Sequence, residues 1–186
     1  MSRFDIYMSG VGGQGIGLLS EAIIRAADYA GLAVCGVDTH GLAQRGGMVE
    51  SFVRIGSVTT PLVRRGSAQL VLALERTEAL RAAERFAAPG GTLLYFDTCW
   101  QPLSVRLGTE KATTAEDVDH ACARLEVRSV PVRTELPDVR MQNVALLAVA
   151  AREKLIPGVE MRHYEKALAD LLPDRVLQGN LKVLKG

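Results

Sequence analysis

Cysteine is too scarce and too scattered in this chain to build a centre of any kind. Cys35, Cys99 and Cys122 are an odd number at wide separations, so the sequence offers no disulfide framework and no CxxC or CxxCxxCxxxC spacing for an iron–sulfur cluster. They read as three small apolar residues. His40, His120 and His163 are equally dispersed, and their spacing implies no zinc site. Aromatic residues make up 5% of the chain, too few for the stacking platforms of a single-strand nucleic-acid binder. A net charge of +1 likewise gives no bulk attraction to nucleic acid or to an anionic membrane. No apolar run approaches the roughly 18–20 residues that span a bilayer. The opening Met-Ser-Arg-Phe-Asp leads straight into a strand-like run instead of an apolar leader, so a cytoplasmic protein is expected.

What is present is material for a core. Of 186 residues, 48% are hydrophobic and 23% charged, the balance of a folded domain and far from that of a disordered chain. Residues 4–8 are β-prone and end in Gly10-Val11-Gly12-Gly13-Gln14-Gly15. Leu18, Leu19, Ala22, Ile23, Ala26 and Ala30 then recur at helical spacing, and Gly31 is placed to end that helix. Residues 32–37 form a second apolar run, which completes a βαβ unit with its strands running the same way.

Further on, residues 48–55 and 58–63 are strand-like and divided by Gly56-Ser57, the pattern of a tight antiparallel hairpin. Residues 69–74 form a continuous apolar run, as expected of a strand covered on both faces. A helix capped by Thr77 follows, then Pro89-Gly90-Gly91 and a strand over 92–96. Residues 99–113 look irregular. Thr114, with Asp117 three residues on, starts another helix. The last strand covers 126–132, and Pro131 places it at an edge. Two helices over 141–154 and 160–172 precede a tail without strong pattern. The expected fold class is α/β: a three-layer, Rossmann-like arrangement around a mostly parallel, mixed sheet. Residues 1–186 are expected to form a single domain, with a helical C-terminal segment from about 138.

Two clusters carry chemistry. Gly10, Gly12 and Gly15 satisfy GxGxxG between a strand and a helix, where glycine lets backbone N–H groups approach an anion. With Asp38 at the end of the second strand, this spacing suits a dinucleotide site. It suits equally a different phosphate ligand, or a turn that needs glycine for steric reasons alone. The second cluster is Thr39-His40-Gly41-Leu42-Ala43-Gln44-Arg45-Gly46-Gly47. It follows the second strand directly, at the sheet edge that carries the glycine loop, and an ordinary nicotinamide enzyme has no need of it.

Taken together, Gly10-Val11-Gly12-Gly13-Gln14-Gly15, Thr39-His40-Gly41 and Ala43-Gln44-Arg45-Gly46-Gly47 resemble the gamma domain of 2-oxoacid:ferredoxin oxidoreductases. The His-Gly-x-Ala-Gln-Arg-Gly-Gly form is most similar to the indolepyruvate branch, where this domain is the separate small beta subunit. The resemblance runs on through Glu75, Pro89-Gly90-Gly91, Asn143 and Ala145-Leu146-Leu147. It implies an enzyme that converts a 2-oxoacid, indolepyruvate or another arylpyruvate, and coenzyme A to acyl-coenzyme A and carbon dioxide while reducing ferredoxin. It places thiamine diphosphate, magnesium and the iron–sulfur clusters on a larger partner subunit. This chain lacks a GDG…NN pattern and cluster-spaced cysteines, in agreement. It would bind no cofactor alone, carry no catalytic residue, and shape the site from outside.

The candidate site residues are therefore Gly10, Gly12, Gly13, Gln14 and Gly15 as a phosphate or coenzyme A loop. His40, Gln44, Arg45, Gly46 and Gly47 are candidates for a substrate or partner site. Arg45 either reaches out to a carboxylate or phosphate or pairs with a local carbonyl or acid. His40 either orients substrate or packs on its own turn, and Gln14 either contacts a ligand or caps the helix. Two other readings compete: a stand-alone NAD-dependent oxidoreductase, and an interaction module without a ligand.

Overall fold

In the computed structural model, which describes residues 3–40, 47–100 and 103–186, the apolar runs assemble into a six-stranded sheet. The strands are β1 Phe4–Val11, β2 Val34–His40, β3 Met48–Ile55, β4 Ala68–Ala73, β5 Ala87–Phe96 and β6 Arg128–Val132, in the order β2-β3-β1-β4-β5-β6. β1, β4, β5 and β6 are parallel neighbours, whereas β3 runs antiparallel between β1 and β2. β2 therefore points the same way as β1 without touching it.

The helices are α1 Ile16–Tyr29, α2 Arg76–Phe86, α3 Leu103–Arg106, α4 Ala115–Arg124, α5 Gln142–Arg152, α6 Met161–Leu171 and α7 Asp174–Lys185. Strand alternation sorts the core into two layers. On one face Ile6, Met8, Val53, Leu70 and Leu72 meet Leu19, Ile23, Leu146, Tyr164 and Leu168 of α1, α5 and α6. On the other, Tyr7, Val71, Leu93 and Tyr95 meet Ala79, Ala82, Phe86 and Val118 of α2 and α4. Each fully buried aliphatic side chain contributes roughly 1.5–3 kcal/mol. Cover on both faces explains why β4 runs apolar without alternation from Leu70 to Ala73. This is the expected three-layer, Rossmann-like arrangement with a mixed, mostly parallel sheet. Among the described residues no helix is long and apolar enough to cross a membrane.

Three local expectations are corrected. Residues 58–63 form no strand, because β3 already has β1 on one side and β2 on the other and offers no free edge. Instead β2 and β3 pair with each other, Val34 opposite Ile55 through His40 opposite Val49. Thr77 does not cap α2. The cap is Glu75, whose carboxylate accepts from the N–H groups of Thr77 and Glu78. The tail is helical: α7 packs on α5 and α6 and buries Asn180 and Leu184. Other expectations hold. Thr114 and Asp117 make a reciprocal capping box on α4, and Pro131 lies in an edge strand, where a missing N–H costs nothing.

The connections decide where a ligand can sit. α1 leaves β1 on one face of the sheet, and α2 leaves the neighbouring β4 on the other. The C-terminal ends of β1 and β4 thus flank a switch point, the place where open α/β sheets present a crevice.

Candidate functional site

β1 delivers the glycine loop to this crevice. Gly13 and Gly15 take positive φ, +101° and +89°, and at Gly15 even a methyl group is excluded. A Cβ there would lie 2.7 Å from Asn143 Nδ2 of α5. Gln14 turns back on its own loop: its N–H donates to Val11 O at 3.0 Å, and its Oε1 accepts from Val11 N–H at 2.7 Å. Gln14 does not cap α1, one of the two roles expected of it; its carbonyl oxygen closes the loop instead. Asn143 Oδ1 accepts from Val144 N–H at 2.8 Å, while Nδ2 donates to Gly15 O at 3.4 Å. α1 begins at Gly15 with no side-chain cap, so its first-turn N–H groups face the loop, an arrangement that favours an anionic group.

The second cluster reaches the same edge. Gly12 N–H donates to Gly47 O at 2.8 Å, and Val11 stands opposite Met48 in the ladder. His40 is the last residue of β2, opposite Val49. Gln44, Arg45 and Gly46 lie outside the described residues. The glycine loop and Gly47 are therefore hydrogen-bonded neighbours through the antiparallel β1–β3 ladder, not because β1 and β2 are adjacent parallel strands, which β3 separates.

Asp38 does not serve as a displayed ribose acid. Its Oδ1 accepts from Ser20 Oγ at 2.9 Å and lies 2.5 Å from Ser51 Oγ, with the two hydroxyl oxygens 2.8 Å apart. Ser20 and Ser51 are fully buried. The carboxylate is spent on tying β2 and β3 to α1, and the dinucleotide reading loses the acid it needed.

Residue spacing did not expose the acids on the far side of the crevice. Glu75, at the end of β4, is 1% exposed. Its carboxylate takes Thr77 N–H at 2.9 Å, Glu78 N–H at 2.5 Å and Trp100 N–H at 3.4 Å. Burial pushes this carboxyl above the usual range, and the three backbone donors oppose the rise. Glu78 accepts from Ser9 Oγ of β1 and from Arg81, both at 2.8 Å. The chain leaving β5 folds back across the end of β4, where Arg76 N–H donates to Thr98 O at 2.9 Å. Asp97 holds that turn through ion pairs with Arg76 and Arg133. Burial alone would raise the Asp97 carboxyl, but the two guanidinium groups outweigh it and hold it below its ordinary range. The crevice thus has an N–H-rich wall from the β1 loop and a buried acidic wall behind α2. Among the described residues no three His, Cys, Asp or Glu side chains gather as metal ligands.

Residues 5–186 match the family described as pyruvate ferredoxin/flavodoxin oxidoreductase. The chain belongs to this family. Within it, the chain is 36% identical to indolepyruvate oxidoreductase subunit IorB of Archaeoglobus fulgidus, over 98% of this chain and 92% of that protein. It is 30% identical to the subunit of the same name from Methanothermobacter thermautotrophicus, over 98% and 95%. Family folds agree as well. The pyruvate oxidoreductase subunit PORC of Thermotoga maritima superimposes with a TM-score of 0.67 at 22% identity, over 100% of this chain and 94% of that one. The 2-oxoglutarate:ferredoxin oxidoreductase of Magnetococcus marinus, solved with 2-oxoglutarate, coenzyme A and succinyl-CoA bound, gives 0.70 at 19% identity. This chain covers 30% of that longer polypeptide and is itself matched over 99%.

Proposed function

We propose that this chain is the small, cofactor-free subunit of a 2-oxoacid:ferredoxin oxidoreductase whose oxoacid is indolepyruvate or another arylpyruvate. The reaction converts the oxoacid and coenzyme A to acyl-coenzyme A and carbon dioxide, and both electrons pass to ferredoxin. Thiamine diphosphate, magnesium and the iron–sulfur clusters belong to the larger partner subunit, which supplies the carbanion chemistry and the electron path. The observation that carries this reading is the seam between Gly12 and Gly47, which joins the two family motifs at one sheet edge. Near-full-length similarity, at 36% and 30% identity, to proteins named as indolepyruvate oxidoreductase subunits supports the choice of oxoacid.

In this reading the chain binds and orients. The N–H groups of the Gly10–Gly15 loop and of the first turn of α1 hold an anionic group, a phosphate of coenzyme A. Gln14 and Asn143 keep the loop in shape from within. His40, Gln44, Arg45, Gly46 and Gly47 line the approach of the oxoacid or of the partner, with Arg45 as a donor to carboxylate or phosphate. No residue of this chain makes or breaks a bond of the substrate. The chain is intracellular in this reading, as its redox partners require.

Reconstitution tests the proposal. The chain alone should reduce no ferredoxin and give no saturable response to NADH in fluorescence or melting. Mixed with a larger thiamine-diphosphate subunit it should restore coenzyme A-dependent oxidation of indolepyruvate. NADH binding that supports turnover by the isolated chain would refute the proposal.

A further inference from the structure

Large apolar side chains stand exposed around the crevice. Trp100 is 58% exposed, although its backbone N–H is held by the buried Glu75. Met48 begins β3 opposite the end of the glycine strand. Val139 lies in the turn that leads into α5, just before Asn143 meets Gly15. Leu107 follows α3, in the connection that leaves at the end of β5 and re-enters at α4. All of these are exposed, and each lies in or beside a segment that starts or ends at the C-terminal edge of the sheet. Exposed apolar side chains that gather at one rim mark a protein–protein surface, and tryptophan is the residue most enriched where such surfaces bind tightest.

We propose that this rim, centred on Trp100, is the face against which the larger thiamine-diphosphate subunit docks. The inference rests on the functional reading above, and two considerations name the occupant. A loop that completes a site whose cofactor is held by another polypeptide has to face that polypeptide, so the partner must cover the surroundings of the glycine loop. In the Magnetococcus enzyme, moreover, the matching region is 30% of a longer chain, so there this fold is built with further protein attached. The backbone of Trp100 is tied to the crevice wall: its N–H donates to Glu75 at 3.4 Å, beside the contact between Arg76 N–H and Thr98 O.

The experiment is hydroxyl-radical footprinting of the chain alone and in its complex with the larger subunit. The single tryptophan of the chain makes the signal unambiguous. Leu62, 57% exposed in the connection beyond the opposite edge, is the internal control. Trp100 should lose most of its reactivity in the complex while Leu62 keeps its own. In parallel, Trp100→Glu should weaken assembly about 30-fold or more, the ordinary loss at an interface hot spot, and Leu62→Glu should not. Equal Trp100 labelling in both states would overturn the proposal, even if Trp100→Glu proved misfolded. So would protection of Trp100 in the chain alone at high concentration, because the occupant would then be a second copy. If no larger subunit binds at all, the functional reading itself falls. If one binds and leaves Trp100 exposed, only this inference does.

Discussion

Gly13 and Gly15 occupy equivalent-looking places in the glycine loop but face different obstacles. Both take a φ that L-residues avoid. A Cβ at Gly13 would meet nothing within 4 Å, whereas one at Gly15 would press into Asn143 Nδ2. Gly13→Ala should therefore cost only backbone strain, about 1–2 kcal/mol. Gly15→Ala should add the cost of displacing a buried amide, for a total of about 2–4 kcal/mol. Urea unfolding of both variants checks this. The Gly15→Ala, Asn143→Ala double variant should recover part of the loss, because the two side chains compete for one space. Equal costs for the single variants would mean that Asn143 yields freely and does not shape the loop. Arg45, followed by Gly46 and Gly47, carries in the proposed function a role that rests on its charge. In the assembled enzyme Arg45→Ala should change stability by about 0.5 kcal/mol or less. It should damage turnover or the KM for coenzyme A or oxoacid by roughly one to two decades, the worth of a charge-assisted hydrogen bond. Normal kinetics with a large fall in melting temperature would make Arg45 structural.

At the scale of elements, Asp97 is the joint between α2, β5 and the chain beyond β6, through its ion pairs with Arg76 and Arg133. A carboxyl held below its unfolded value stabilises the fold above that value and loses the contribution as pH falls through the lower, folded one. Asp97→Asn should be less stable than the wild type at neutral pH, and the gap should close as pH drops below about 4. Unfolding curves at both pH values decide this, and a gap unchanged in acid would remove Asp97 from the account. The same elements show how far periodicity reaches. α1, α5 and α6 were legible because each is a long run whose apolar spacing matches the helical period, and β1 and β4 because each is a short β-prone or continuously apolar run bounded by breakers or caps. The β2–β3 pairing was not, since two strand-like runs around Gly56-Ser57 are locally as good a hairpin, and only the sheet order denies β3 a free edge. α7 was missed because its burial against α5 and α6 is a tertiary fact. At the site, the glycine loop and the second cluster were legible as motifs. The fate of Asp38, tied down by Ser20 and Ser51 from two other elements, was not written in its own neighbourhood. Glu75 and Trp100 are 25 residues apart in sequence, which hides their contact from any local reading.

Across the whole molecule, the two ends of the sheet are built differently. The C-terminal edge carries the glycine loop, the seam to Gly47 and the exposed Trp100. The N-terminal edge carries a buried ion pair: Arg54 Nε of β3 donates to Asp5 Oδ1 of β1 at 2.9 Å, and the two side chains are 9% and 1% exposed. Arg54 also donates to Thr60 O, and Asp5 has a second cation in Arg3. Removing one member of such a pair strands the other charge in the interior, which costs about 3–5 kcal/mol. That is a large share of the roughly 5–15 kcal/mol that holds a domain together. Asp5→Ala should accordingly lower the stability of the isolated chain severely, as read by urea unfolding at low temperature. Because Asp5 lies at the N-terminal end of the strand whose far end enters the glycine loop, the crevice should be unaltered wherever the variant is folded. Turnover per assembled complex, measured well below the melting transition, should then match the wild type, with unchanged KM for coenzyme A. A proportional fall in kcat in fully folded complexes would show that the two ends are coupled through β1, and that the division between a stabilising edge and a working edge is false.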